Sequence, residues 1–159
     1  MEPVQEHRKF LKKRENINHI GSFFPKHMEL EENGEKISFE WLHKTDKGAL
    51  VFLTSSACSA CRIEPIYHFI LNYRQFNYVV LFEGELDEQY TELMSLDDVP
   101  LMKINAVKIG GYLQVTSIPW AFALNRLGQI VGAGIFNDDE HLEQLSRPLL
   151  RVYDSVGRK

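Results

Sequence analysis

ALVFLTSSACSACRIEP, residues 49–65, joins an unbroken apolar run to the only two cysteines of the chain, Cys58 and Cys61. The run Ala49–Thr54 has the length of a strand and no alternation of polar residues, which predicts a strand buried on both faces. Apolar residues recur at helical spacing over residues 60–74. The two cysteines are therefore expected where a buried strand ends and a helix begins.

Strand and helix patterns continue on both sides of this stretch. Upstream, the hairpin signal Glu32-Asn33-Gly34 lies between the predicted strands His27–Leu30 and Lys36–Trp41. The elements predicted downstream are a helix over 60–74 kinked at Pro65, a strand over 78–82, a charged helix over 86–96, a strand opening at Pro119, its hairpin partner over 129–136, and a last helix from the N-cap residues Asn137 and Asp138 through Leu150. Residues 100–115 carry no clear pattern. This order predicts an α/β fold with a mixed central sheet flanked by helices and an N-terminal β-hairpin extension.

Length and composition indicate one globular domain. The chain has 159 residues, of which 44% are hydrophobic and 25% charged, and this suits a single hydrophobic core. We expect a polar helical extension over residues 1–20 and one domain over residues 21–159, with its core at about 49–150.

Net charge and hydropathy limit the classes of partner and the locations that the protein can have. A formal charge of -4 argues against a nucleic-acid-binding protein, which would carry a basic excess. The one basic cluster, in residues 8–14, is expected to be a solvated helix face, with a membrane-surface or nucleic-acid contact as the alternative. The chain contains no run of about 18 apolar residues, so no membrane span is predicted. The protein is either cytosolic or the soluble part of a longer, anchored chain.

The spacing of Cys58 and Cys61 permits three kinds of site. As a working pair, Cys58 at a helix N-terminus would be the thiolate that attacks a partner's disulfide, and Cys61 would resolve the mixed disulfide. A zinc site would need four ligands, whereas the chain has one C-x-x-C knuckle and no H-x₃₋₅-H pattern. Two inert buried cysteines are the third alternative, which their position at a strand end disfavours.

An Ile118-Pro119 step opens a later predicted strand. If this peptide bond is cis, the backbone of Ser117 and Ile118 points outward and offers an edge on which an extended peptide can pair.

Taken together, these motifs resemble the thioredoxin-fold superfamily over about residues 49–150. ALVFLTSSACSACR matches the strand, active-site loop and helix of that superfamily, and VTSIPWAFALNRLGQIVGAG matches its cis-proline strand pair. Within the superfamily the chain looks most like the thiol:disulfide interchange proteins related to TlpA, ResA and MauD. Those proteins also begin with a Gly-x-x-x-Pro stretch, here Gly21–Pro25, and a hairpin.

This resemblance implies site residues and partners. Cys58 would be the attacking cysteine, Cys61 the resolving one, and Glu64 an acid that, if buried, tunes the thiols or moves a proton; an exposed helix residue is the alternative. The side chains and backbone facing a protein substrate would be those of Ala57, Ser59, Ala60, Ser117, Ile118, Pro119 and Trp120. The resemblance implies no cofactor and no metal, a protein partner with a disulfide or dithiol, an upstream redox partner, and a membrane tether ahead of residue 1 on the outer face, with a cytoplasmic location as the alternative.

The chain also departs from the thioredoxin pattern. Ala57 replaces a tryptophan, Ser59-Ala60 replaces Gly-Pro, and Phe52 stands near the position of the buried acid. Trp120 follows the proline in place of a threonine, and either lines the partner groove or belongs to the core. Because no positive charge lies between the cysteines, the pKa of Cys58 is expected nearer to about 7 than to about 3.5. We therefore expect a reductant or interchange protein, with an accessory or copper-binding protein for maturation of one enzyme as the alternative.

Overall fold

A computed structural model describes residues 19–32, 34–58 and 61–157. The predicted N-terminal extension, residues 1–20, lies outside these residues except for His19 and Ile20, which belong to a turn. The strands are β1 His27–Glu29, β2 Lys36–Ser38, β3 Ala49–Ser55, β4 Asn77–Glu83, β5 Leu101–Lys103, β6 Trp120–Leu124 and β7 Ile130–Ile135. The α-helices are α1 Glu64–Asn72, α2 Thr91–Met94, α3 Ala106–Leu113 and α4 Asp139–Gly157.

Five of the strands form one mixed sheet in the order β5-β4-β3-β6-β7. Strand β3 pairs in parallel with β4 and antiparallel with β6, so the strand that leads to the cysteines is central. All seven of its residues are buried, as its unbroken apolar sequence predicts.

The alternating side chains of β3 supply two cores, one on each face of the sheet. Val51 and Leu53 pack with residues of the N-terminal hairpin and of α3, whereas Leu50 and Phe52 pack with residues of α1 and α4. The predicted mixed sheet flanked by helices is therefore confirmed. Phe52, which stands near the position of the buried acid of thioredoxins, is fully buried beside Tyr78 and Phe136.

The N-terminal hairpin is confirmed with a shorter second strand. β1 pairs antiparallel with β2, and Asn33 of the predicted turn lies outside the described residues. The second strand ends at Ser38 instead of Trp41, because the chain then enters a 3₁₀ turn, Glu40–His43. That turn carries Leu42 into the core, where it is fully buried.

Residues 100–115 contain two elements that the sequence pattern did not predict. β5 has only three residues and its edge position leaves them partly exposed, so it shows neither alternation nor a long apolar run. Two glycines, Gly110 and Gly111, weaken the helical pattern of α3. The one sequence feature that indicates this helix is Asn105, a residue type favoured at helix N-caps. Its side chain accepts a hydrogen bond from the backbone N–H of Lys108 at 3.0 Å and caps the helix.

Two predicted helices have different bounds in the structure. The charged helix over 86–96 is a 3₁₀ turn, Glu88–Tyr90, followed by the short α2. The last helix begins as predicted, with Asp138 Oδ1 accepting from the N–H of His141 at 2.9 Å, but it continues past Leu150 to Gly157. Among the described helices, none is both long and apolar enough to cross a membrane.

A half-buried ion pair ties the hairpin to α3. Lys108 Nζ lies 2.6 Å from Glu29 Oε2, and the two side chains are 27% and 25% exposed. The hydrogen bond from Lys108 lowers the pKa of Glu29, and the same bond raises the pKa of Lys108. Since the folded-state pKa of Glu29 is depressed, its contribution to stability is present above the ordinary glutamate range and is lost as the pH falls through the folded value.

We expect Glu29→Gln to lower the urea midpoint of unfolding at pH 7 and to converge with the wild type toward pH 3, because protonated Glu29 no longer offers Lys108 a carboxylate. Urea titrations at pH 7, 5, 4 and 3 measure the difference. The control is Glu85→Gln, which removes the partner of Lys103 in a more exposed pair, with Glu85 88% exposed, and should change little at any pH. A Glu29→Gln deficit that persists undiminished at pH 3 would contradict this assignment.

Candidate active site

Cys58 and Cys61 lie just beyond the end of β3 and form a disulfide. Their Cα atoms are 5.3 Å apart, within the range that a disulfide bridges. The Cys61 N–H donates to the Cys58 carbonyl oxygen at 3.2 Å. Cys61 is only 4% exposed, whereas Cys58 is half-buried. The two sulfurs therefore differ in access, and Cys58 is the one that an incoming group reaches.

The helix after the cysteines begins later than the sequence predicted. α1 begins at Glu64, so the prediction that Cys58 stands at its N-terminus is wrong. Pro65 explains the boundary, since proline has a fixed φ and no N–H and therefore fits the first turn of a helix. For the same reason the predicted kink is wrong, because Pro65 lies in the first turn of α1 and not within the helix interior.

Ser56 anchors the loop that carries the cysteines. Its N–H and its hydroxyl both donate to the Glu83 carbonyl oxygen, at 3.0 and 3.4 Å, and its Oγ accepts from the Glu85 N–H at 3.1 Å. Gly84 between them has φ +94°, and a Cβ there would overlap Ser56 Oγ. Ser56 thus fixes the loop to the end of β4, although no sequence motif marks this serine.

The second segment of the site runs from Ser117 to Trp120. The Ile118–Pro119 peptide bond is cis, and the Ile118 carbonyl oxygen lies 3.8 Å from Cys58 Sγ. Ser117 and Ile118 are half-buried and Pro119 is buried. The fold thus brings together Cys58 and Ile118, which are 60 residues apart in sequence.

The other predicted site residues divide into three groups. Ala57 is exposed beside Cys58, whereas Ser59 and Ala60 lie outside the described residues. Trp120 is 9% exposed and packs in the core against Phe122, which is the second of its two alternatives. The Glu64 side chain is 66% exposed and lies 3.5 Å from Arg62, so the buried alternative for Glu64 is wrong. A role for Glu64 in proton transfer stays a prediction.

Two buried polar features near the site carried no recognisable sequence signal. Thr54, the second-to-last residue of β3, shares a 2.9 Å hydrogen bond with Tyr90, and burial raises the pKa of Tyr90. His19 is 6% exposed and contacts Trp120, with ring centroids 5.5 Å apart. Within residues 19–32, 34–58 and 61–157, no three His, Cys, Asp or Glu side chains are grouped to hold a metal ion.

One curated relative aligns with part of the chain. The methylamine utilization protein MauD of Methylorubrum extorquens is 28% identical over 97 residues, which make up 60% of this chain and 47% of that protein. The chain thus spans about half the length of this relative. No family model matches the sequence.

Solved structures match the chain over most of its length. A Chlorobium tepidum protein provisionally described as the thiol:disulfide interchange protein DsbE superposes with a TM-score of 0.60 at 16% identity, covering 82% of this chain and 97% of that one. A thiol:disulfide interchange protein of the thioredoxin family from Chlorobium tepidum TLS gives a TM-score of 0.57 at 18% identity, with coverage of 82% and 97%. These likenesses confirm the predicted thioredoxin-like fold.

Proposed function

We propose that this chain is a thiol-disulfide oxidoreductase that exchanges a dithiol for a disulfide with a protein partner through Cys58 and Cys61. The observation that carries the proposal is the unequal access of two disulfide-bonded sulfurs at a strand end, with the Ile118 carbonyl 3.8 Å from the accessible one. A purely structural disulfide does not require an accessible sulfur beside a half-buried second segment.

The exchange runs through one mixed disulfide. In the reducing direction the Cys58 thiolate attacks one sulfur of the partner's disulfide, and the other partner sulfur leaves as a thiolate. The Cys61 thiolate then attacks the Cys58 sulfur and releases the second partner thiolate. Two electrons pass to the partner, whose thiolates take up two protons, and the chain ends with the Cys58–Cys61 disulfide. An upstream dithiol protein returns the pair to the thiol form by the same steps.

The surroundings of Ile118 suit an extended polypeptide. Ser117 and Ile118 are half-buried, and their backbone would be the edge on which such a segment pairs. A cleft of about 480 Å³ adjoins it, lined by small and apolar residues of α3 and the following loop: Ala106, Val107, Gly110, Gly111, Val115, Thr116 and Ile118. Val107 on its rim is 86% exposed. The partner proposed is therefore a protein chain, and Ala57, Ser59 and Ala60 would face it from the cysteine loop.

We propose that the pair works as a reductant or in interchange and not as a strong oxidant. No basic residue stands between the cysteines, and the first one after them, Arg62, is ion-paired with Glu64. Neither feature supplies the positive charge that stabilises the thiolate of strongly oxidising proteins. A membrane tether and a location outside the cytoplasm stay predictions.

Three measurements on the purified protein test this function: disulfide reduction, reduction potential and copper content. We expect catalysed reduction of a protein disulfide in the presence of dithiothreitol, and a reduction potential nearer to thioredoxin's, about -270 mV, than to DsbA's, about -120 mV. A potential close to the DsbA value would reverse the proposed direction. Stoichiometric bound copper with no turnover would replace the proposal with the accessory metal-binding protein.

A further inference from the structure

We propose that His19 is a positioning residue for this redox site, an inference that rests on the proposed function. It acts through the segment from Leu113 to Trp120, which it holds at both ends. That segment carries Ile118, whose carbonyl oxygen faces Cys58. His19 itself does not enter the chemistry of the sulfurs.

At the first end of the segment, His19 binds the carbonyl groups that terminate α3. His19 Nε2 lies 2.9 Å from the Leu113 carbonyl oxygen and 3.1 Å from that of Gln114. Carbonyl oxygens only accept, so Nε2 carries the hydrogen and donates to both. The last carbonyls of a helix have no partner within the helix. His19 supplies one at the residue, Gln114, where the backbone turns out of the helix with φ 55°.

At the second end, the imidazole packs against the start of β6. Its ring lies edge-on to Trp120 at 5.5 Å and to Phe122 at 5.4 Å between centroids. Trp120 directly follows Pro119, and both aromatic residues are buried. One side chain therefore fixes where the segment leaves α3 and where it enters the sheet.

His19 is a polar side chain in a buried position. His19 Nδ1 and Trp120 Nε1 are buried, and neither has a hydrogen-bond partner among the described residues. A buried polar atom without a partner lowers stability relative to an apolar side chain of similar shape. A leucine would fill a similar space but would release the two carbonyls, so the Nε2–H group of the imidazole is what holds this segment at α3.

The consequence for the reaction depends on the partner. A polypeptide that pairs with Ser117 and Ile118 needs their backbone in a fixed position relative to Cys58, whereas a small disulfide needs only access to the sulfur. Misplacement of a docking group by an ångström costs rate steeply. Loss of His19 should therefore slow exchange with proteins selectively.

The test compares His19→Leu, His19→Gln and His43→Leu with the wild type. The glutamine amide can donate to the same two carbonyls, so His19→Gln is the conservative rescue. His43 is a matched control, because its Nε2 also lies within hydrogen-bond distance of a backbone carbonyl, that of Phe24 at 2.7 Å, and it is also partly buried. Each variant is assayed on insulin and on Ellman's reagent, and its thermal unfolding is recorded.

We expect His19→Leu to lower the rate constant for insulin about tenfold while changing that for Ellman's reagent less than about twofold. His19→Gln should recover most of the loss, and His43→Leu should leave both rates near the wild type. Equal slowing of both substrates, no slowing, or the same selective slowing in His43→Leu would overturn the inference. A wild type inert toward both disulfides would instead overturn the proposed function, and this inference with it.

Discussion

A Cys61→Ala variant should stop at the mixed disulfide and be isolated covalently bound to its protein substrate through Cys58. Removal of the resolving thiol leaves the first exchange intact and blocks the second, so turnover ends after one event. The rate of disulfide exchange should be at least about a thousandfold lower in Cys58→Ala, since the attacking sulfur is gone. Non-reducing electrophoresis of each variant after incubation with a disulfide-containing protein detects the adduct, and the rate of reduction of the same protein measures the loss in Cys58→Ala.

The attacking and resolving roles are assigned from the different burial of the two cysteines. Cys61 is 4% exposed, whereas half-buried Cys58 lies beside the Ile118 carbonyl oxygen. The double variant Cys58→Ala/Cys61→Ala is the control and should form no adduct. An adduct that forms on Cys58→Ala and is missing from Cys61→Ala would exchange the two roles and contradict the geometry.

Gly132→Ala should be the most destabilising small substitution in the sheet. A Cβ on Gly132 of β7 would overlap the backbone carbonyl oxygen of Leu145 in α4, so a strand and a helix must move apart. Overpacking against backbone costs about 3 kcal/mol, which for a chain of this size lowers Tm by roughly 6–12 °C. Calorimetry or thermal circular dichroism gives the change.

Gly134 provides the matched control on the same strand. It lies two residues further along β7, and a Cβ there would meet nothing within 4 Å. Gly134→Ala should change stability by no more than about 0.5 kcal/mol. Equal destabilisation by the two substitutions would mean that strand propensity, and not the contact with α4, sets the cost at Gly132.

Elements with strong local patterns were predictable from sequence. The apolar run Ala49–Thr54 predicted the central strand, and the Asn33-Gly34 signal predicted the hairpin whose strands pair in β1 and β2. The elements missed lack such patterns, because β5 is three residues long at an edge and α3 contains two glycines. The end of a helix depends on its tertiary contacts, and α4 accordingly runs beyond the predicted boundary at Leu150.

The features of the candidate site also divide into those that the sequence predicts and those that it does not. The C-x-x-C spacing and the Ile118-Pro119 step pointed to one site because each is a short motif with its own chemistry. The exposure of Glu64, the anchoring of Ser56 by Glu83 and the burial of His19 against Trp120 depend on pairs far apart in sequence. No periodicity or spacing encodes such pairs, so only the fold discloses them.

Glu83 connects the loop of the two cysteines to helix α3. Its carbonyl oxygen holds Ser56 of the cysteine loop, and its carboxylate accepts from the N–H of Ala106, the first residue of α3, at 2.9 Å. The cysteine loop and the first residue of α3, which lines the cleft beside Ile118, are therefore hydrogen-bonded to the same half-buried residue. Under the proposed function, a partner bound against α3 would therefore contact a helix that shares Glu83 with the loop of the two cysteines.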